Sequence, residues 1–264
     1  MNSLVFDIET IPDINAGRQL YHFDLAADPK SDAEIAQAMF AKRATETGGS
    51  EFLKHHVHRI IAISVVLRQA DRFKVWSLGE PDSSEKELIE RFFEGIERYS
   101  PTLISWNGSG FDLPVLHYRA MLHGINASRY WETGEHDSNF KWNNYISRYH
   151  QRHTDLMDVL SAYQARAVVP LDEMATLLGF PGKMGMSGAH VWQNYLDGKI
   201  VEIRNYCETD VLNTHLVYLR FLLMQGKLSS ADYQREYQLV LDTLNNSEQR
   251  HLKEFAAACT NQLA

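Results

Sequence analysis

Leu4 to Glu9 reads as a short apolar strand that carries two carboxylates, Asp7 and Glu9, one residue apart. Side chains on a strand alternate faces, so the two acids project together while Phe6 and Ile8 point the other way. Two like charges on one face are costly unless a cation or good solvation offsets them. The rest of the chain then has to supply the remaining ligands of such a cation.

Ile11-Pro12-Asp13 is expected to end this strand, since proline donates nothing to a ladder. Residues 14–58 look like an insertion, with a helix over Asp32 to Arg43 capped by Ser31 and a Thr47-Gly48-Gly49-Ser50 loop. Arg59 to Leu67 is a continuously apolar, β-branched strand, and Phe73 to Leu78 alternates as another after a Gln69-Ala70-Asp71 turn. Ser84 with Glu87 reads as a capping box, followed by a helical stripe of Leu88, Ile89, Phe92, Phe93 and Ile96. Thr102 to Trp106 is a fourth strand, reached by a crossover that implies parallel pairing. Asn107-Gly108-Ser109-Gly110 is the loop at its end, and Phe111 to His123 the next helix.

Residues 125–151 have no clear period and read as a loop; His153-Thr154-Asp155 is a candidate fifth strand. Helices follow around Leu156 to Tyr163 and Leu171 to Leu178, then a glycine-rich loop over Phe180 to Gly188. Ile200 to Met224 is a long helix, and Ser229 to Leu244 and Glu248 to Ala258 are two more. With no repeat or clean linker, the chain is expected to be one domain over 1–264, with a core of about 1–224 and a helical extension over 225–264.

A formal net charge of -8 argues against a protein that coats nucleic acid, but not against one that holds a nucleic-acid end through metal ions. The two cysteines, Cys207 and Cys259, suit neither a zinc site nor a disulfide framework. No apolar run approaches the length needed to cross a bilayer, so the expected location is the cytoplasm.

Tyr206 and Asp210 stand four apart on the long helix and share a face that Asn213 and Val217 continue. Asp112 opens a helix just after a strand, at the end of the sheet where α/β proteins gather their ligands. A strand pair of acids, a helix-start Asp and a helical Asp with its Tyr would suit two hard divalent cations such as Mg²⁺ or Mn²⁺. A metal pair of that kind serves in-line phosphoryl displacement.

Phe6-Asp7-Ile8-Glu9-Thr10, Trp106-Asn107-Gly108-Ser109-Gly110-Phe111-Asp112 and Tyr206-Cys207-Glu208-Thr209-Asp210 resemble the three exonuclease motifs of the DEDD superfamily of 3′–5′ exonucleases. The likeness is greatest to the proofreading domain of family B DNA polymerases, in the subgroup of stand-alone PolB-like predicted exonucleases. It runs from Leu4 to about Arg220. One branch of the superfamily has a His five residues before the last Asp; here Asn205 stands there, and Tyr206 fills the place that marks the DEDDy branch.

The resemblance implies a ribonuclease H-like α/β fold, with three antiparallel strands then two parallel ones flanked by helices. It implies a metal-dependent exonuclease acting at single-stranded 3′ ends, with Asp7, Glu9, Asp112 and Asp210 holding two cations and Tyr206 orienting the attacking water. Asn107 and Phe111 would hold the terminal nucleotide, and Lys183 is a candidate phosphate contact. Arg119, Lys141, Arg148 and Arg152 lie near the flanking loops as further candidates. DNA is favoured as substrate, but nothing identifies a 2′-OH contact, so an RNA-trimming enzyme stays open beside it, as does a binding module without catalysis. A proofreading role would need a partner protein.

Singly, each site residue has a plainer reading: a solvated strand-end acid, an N-cap at Asp112, a helical surface pair at Tyr206 and Asp210. Their joint occurrence in order favours the site. The His55-His56-Val57-His58 run lacks partner ligands and reads as a polar lead-in to a strand, and Asp155 reads as a helix cap. Trp76 and Trp106 read as core.

Overall fold

The computed structural model describes residues 2–22 and 31–259. Five strands form one sheet: β1 (Asn2–Pro12), β2 (His58–Gln69), β3 (Arg72–Ser77), β4 (Thr102–Ser105) and β5 (His153–Asp155), in the order β3-β2-β1-β4-β5. β1 pairs antiparallel with β2, and β2 with β3; β4 runs parallel to both β1 and β5. This is the mixed sheet expected from the sequence.

The helices, in chain order, are α1 (Ile14–Tyr21), α2 (Asp32–Thr47), α3 (Glu85–Tyr99), α4 (Asp112–His123), α5 (Ser128–Trp131), α6 (Leu156–Leu160), α7 (Leu171–Leu177), α8 (Val191–Leu196), α9 (Ile200–Met224), α10 (Ser230–Asn245) and α11 (Arg250–Ala258).

The alternation of β1 decides which layer covers which side chains. Leu4, Phe6 and Ile8 go to the face covered by α3 and α4, where they pack with Leu88, Phe92 and Leu116. Val5 goes to the other face, beneath Val211, Leu212 and Leu216 of α9. Asp7 and Glu9 therefore point toward α9. α10 and α11 add Tyr233, Val240, Leu252 and Phe255 to that same α9-side core, so residues 230–258 pack as part of it. A two-pronged ion pair from Arg68 of β2 to Glu236 of α10, at 2.6 and 2.7 Å, fastens this layer to the sheet.

Several sequence expectations need correction. β1 ends at Pro12 as expected, opposite His58, but it runs past Glu9, with a register shift between Glu9 and Thr10. A proline at a strand terminus removes no ladder bond that the sheet requires. Ser84 caps α3 through the Glu87 N–H, but the Glu87 carboxylate reaches Arg91. α2 extends to Thr47, past the expected Arg43, and α1 had no clear signal in so short a segment. Residues 125–151 are largely the expected loop, with the short α5, but the loop is packed: Tyr130 and Tyr145 stack at 5.6 Å, Phe140 is buried beside them, and the Tyr145 hydroxyl donates to the Pro101 carbonyl. The aromatic side chains there have a core use without any helical period.

Candidate active site

The site forms because β4 is short. β4 pairs with β1 only as far as Val5 opposite Ile104, so the β1 backbone beyond that point has open hydrogen-bonding groups. The Ile8 N–H donates there to the Asp112 carboxylate at 3.1 Å. Asp112 is brought to this point by a tight turn. Asn107 adopts a left-handed φ of 64°, a conformation Asn tolerates, and its carbonyl accepts from the Gly110 and Phe111 N–H groups. A Cβ on Gly108 would strike the Ser105 side chain, and one on Gly110 would displace the Asn107 amide oxygen, so glycine at both places lets the turn close tightly.

Asp155 locks the turn from below. Its carboxylate accepts from the Asn107 N–H at 2.9 Å and the Ser109 N–H at 2.8 Å, and also caps α6 through Met157. The expected helix cap is thus present, and the same carboxylate fixes the neighbouring site loop.

From the other side, α9 supplies Tyr206, Cys207 and Asp210. Arg204 anchors its first turns by donating to the Gly79 carbonyl at 2.6 Å. A cleft of about 290 Å³ opens between these elements, lined by Asp7, Asn107, Phe111, Asp112, Lys183, Tyr206 and Asp210, with Asp172 and Asn213 beside them. Glu9 lies next to Asp7: one ligand atom each of Asp7, Glu9 and Cys207 falls within 4.8 Å of the others. The structure brings the sequence-expected acids and Tyr206 together.

Their electrostatics are those of crowded buried acids. Burial first, and then Asp112, Glu9 and Asp210, hold the Asp7 carboxyl well above its usual range. Glu9 is raised by burial and by Asp210 and Asp112. Burial pushes Asp112 up to about 7, against the backbone N–H groups that bond it. Asp210 is pushed up to about 6 by burial, with a Tyr206 hydrogen bond and the Lys183 charge acting the other way. Burial and then Asp210 push the Tyr206 phenol far up, so it stays a donor. Cys207 is likewise held protonated, by burial and by Asp7 and Glu9, and its thiol lies 3.5 Å from an Asp7 carboxylate oxygen. Four carboxylates supply the oxygen donors that hard divalent cations prefer, with the Cys207 sulfur beside them.

Other candidates are placed as follows. Lys183 lines the cleft on a loop pinned by its own N–H to Asp172 at 2.7 Å, and by Gly182 to both ends of the Asn213 amide at 3.2 and 2.9 Å. Phe111 is wedged among Phe52, His55 and His58, with ring centroids 5.1 to 5.7 Å away. His55 also bonds the Gly110 carbonyl, so the histidine run braces the site turn and holds no metal cluster among the described residues. Arg119 is not available to phosphate; it is buried and paired with Asp13 and Glu85. Arg152 lies over Phe140 at 3.8 Å. Lys141 sits beside Trp142, and Arg148 is exposed. Sequence reasoning missed Cys207, Asp172 and the bracing histidines. The only signal for Cys207 was its position beside Tyr206.

A family model described as a predicted 3′–5′ exonuclease related to the exonuclease domain of PolB matches residues 50–259. The chain belongs to this family. The matched residues include Asp112, Tyr206 and Asp210, while β1 with Asp7 and Glu9 precedes them. Short stretches are similar to DNA polymerases. The chain is 50% identical over 48 residues to the catalytic polypeptide of DNA polymerase epsilon from Kluyveromyces lactis, 18% of this chain and 2% of that protein. It is 44% identical over 46 residues to the corresponding polypeptide of Saccharomyces cerevisiae, 17% of this chain and 2% of that protein. It is 48% identical over 42 residues to DNA polymerase 1 of Sulfurisphaera ohwakuensis, 16% of this chain and 5% of that protein. The chain thus matches only small parts of these relatives. The fold of the chain also resembles the family B DNA polymerase of Pyrobaculum calidifontis, with a TM-score of 0.51 and 16% identity, over 97% of this chain and 27% of that one.

Proposed function

We propose that this PolB-related exonuclease removes nucleotides from the 3′ end of single-stranded DNA in a reaction that depends on two divalent cations, Mg²⁺ or Mn²⁺. The observation that carries this reading is the convergence of Asp7, Glu9, Asp112 and Asp210 at one end of the sheet, all with raised pKa values. A cluster of buried acids that repel one another is suited to a pair of cations. DNA is favoured because the similar proteins are named DNA polymerases.

Asp7, Glu9, Asp112 and Asp210 would hold the cations. When bound, such cations lower the pKa of water and offset the charge that builds on the phosphoryl oxygens. Tyr206, kept protonated and hydrogen-bonded to Asp210, orients the attacking water and does not remove its proton. Lys183, in the same cleft as Asp112, neutralises a phosphate oxygen. Phe111, held by three flanking rings, presents a fixed face to the terminal base or sugar, and Asn107 contacts the same nucleotide.

The test is release of 5′-mononucleotides from a 3′-labelled single strand with and without Mg²⁺ or Mn²⁺. Asp7→Ala and Asp210→Ala should each remove the cation-dependent release. Unchanged release in both variants sinks the assignment.

A further inference from the structure

On the far side of the site turn from the cleft, a second groove of about 400 Å³ runs along the free edge of β5. Ser109 and Asp155, which form and lock the site turn, also line it, so groove and cleft share a wall. Its floor is His153, Thr154 and the end of α9; its rim carries Arg148, Tyr149, Tyr163 and Lys227.

The rim has an unusual construction. Ala162 and Tyr163 are consecutive non-glycine residues in the left-handed region, with φ of 51° and 60°. Two such residues in a row store strain that the surroundings must hold. Here the Tyr163 N–H donates to the Asp158 carbonyl at 2.8 Å, and its hydroxyl to the Arg148 carbonyl at 3.0 Å. The result is a Tyr163 ring set under the Arg148 guanidinium at 4.3 Å, with the Tyr149 ring 6.3 Å from that of Tyr163. Tyr149 is 81% exposed. Arg148 and Lys227 are exposed and form no ion pair among the described residues, in a chain whose net charge is -8. Asp155 and Asp158 are the acids that also line the groove; burial and then Asp155 raise the Asp158 pKa, against the Arg148 charge.

An exposed aromatic ring beside cations held in no ion pair is the equipment of a single-strand nucleic-acid groove: bases stack on the ring and phosphates meet the cations. We propose that this groove holds the single strand on the 5′ side of the nucleotide in the cleft, through stacking on Tyr149 and phosphate contacts from Arg148 and Lys227, with Tyr163 supporting Arg148 from below. The proposal rests on the exonuclease reading of the cleft. It predicts that affinity grows with strand length once the strand is long enough to pass the site turn.

The experiment measures binding apart from catalysis. Fluorescence anisotropy with a 5′-labelled 12-nucleotide strand and a 3-nucleotide strand, in EDTA, is compared for wild type, Tyr149→Ala and Arg148→Glu/Lys227→Glu. Tyr149→Ala should weaken the 12-mer about tenfold, the scale of one lost base stack. The charge-reversed double variant should weaken it further and lower the salt slope by about 0.7 for each phosphate contact removed. The 3-mer should be unaffected.

Hydrolysis of the p-nitrophenyl ester of thymidine 5′-monophosphate, with Mn²⁺, is measured in parallel as a substrate too small to leave the cleft. Equal ester hydrolysis in all three proteins, with the 12-mer weakened only in the variants, supports the groove. Equal 12-mer affinity in all three overturns it, and leaves the β5 edge free for a peptide strand instead. A wild-type protein that hydrolyses neither ester nor oligomer counts against the exonuclease reading, while the 12-mer affinities still decide the groove.

Discussion

Asp7 is where the site's demands on stability are most concentrated. Its carboxyl, and those of Glu9, Asp112 and Asp210, have folded pKa values above the unfolded ones. The folded protein therefore binds more protons than the unfolded one above about pH 4, and the cluster opposes folding increasingly as pH rises to about 7 when no cation is present. Asp7→Asn removes one ionisable group from the cluster. It should raise the melting temperature of the EDTA-treated protein at pH 7 by about 2–4 °C while abolishing the rise that Mg²⁺ produces in wild type. A lower melting temperature in EDTA would contradict this account of the cluster. Tyr206→Phe keeps the ring and loses the hydroxyl. Its kcat should fall about a hundredfold with little change in KM, because the lost group acts on the water and not on the strand. The convergence of Asp7, Glu9, Asp112, Tyr206 and Asp210 was legible in the sequence because each stands in a short local motif. Cys207 was not, since a thiol facing Asp7 is set by the roll of α9 against the sheet, which no local pattern records.

At the scale of elements, the site depends on two braces. Asp155 holds the turn between β4 and α4. Asp155→Ala leaves the Asn107 and Ser109 N–H groups unpaired and uncaps α6, at a cost of roughly 3 kcal/mol in a urea titration, and activity should fall as the turn loosens. Arg119 holds α4 to α3 and to the end of β1, through Glu85 and Asp13. Arg119→Ala strands two buried carboxylates and should cost about 3–5 kcal/mol, without changing the salt dependence of strand binding in the folded fraction. A flatter salt dependence in that variant would restore Arg119 as a phosphate contact. The Arg119 outcome shows where reading the sequence stops. Its neighbours in the chain lie near the site, but the side chain runs back under α3, and its partners are 106 and 34 residues away. The strands and long helices were legible from periodicity; the aromatic packing of residues 125–151 was not, since it follows no period.

For the whole molecule, the buried histidines act against the acids. His58, His117 and His153 are held down to about 4 and His215 to about 3, each chiefly by burial. Because these folded values lie below the unfolded one, the unfolded chain binds more protons between about pH 4 and 6.5, and their effect is that stability rises with pH across that window. In EDTA the acid cluster opposes this rise; with saturating Mg²⁺ it does not. The melting temperature should therefore climb more steeply from pH 5 to 6.5 with Mg²⁺ than without, and parallel curves would count against the opposition of the two sets. The molecule's sheet order, its α9 layer and its site cleft all serve one end of β1, so the most direct measurement follows the fate of a 5′-labelled single DNA strand. With Mg²⁺ or Mn²⁺, wild type should shorten it one nucleotide at a time from the 3′ end, giving a ladder that EDTA or Asp210→Asn abolishes. A strand left intact by wild type with either cation, or cut internally, would contradict the account.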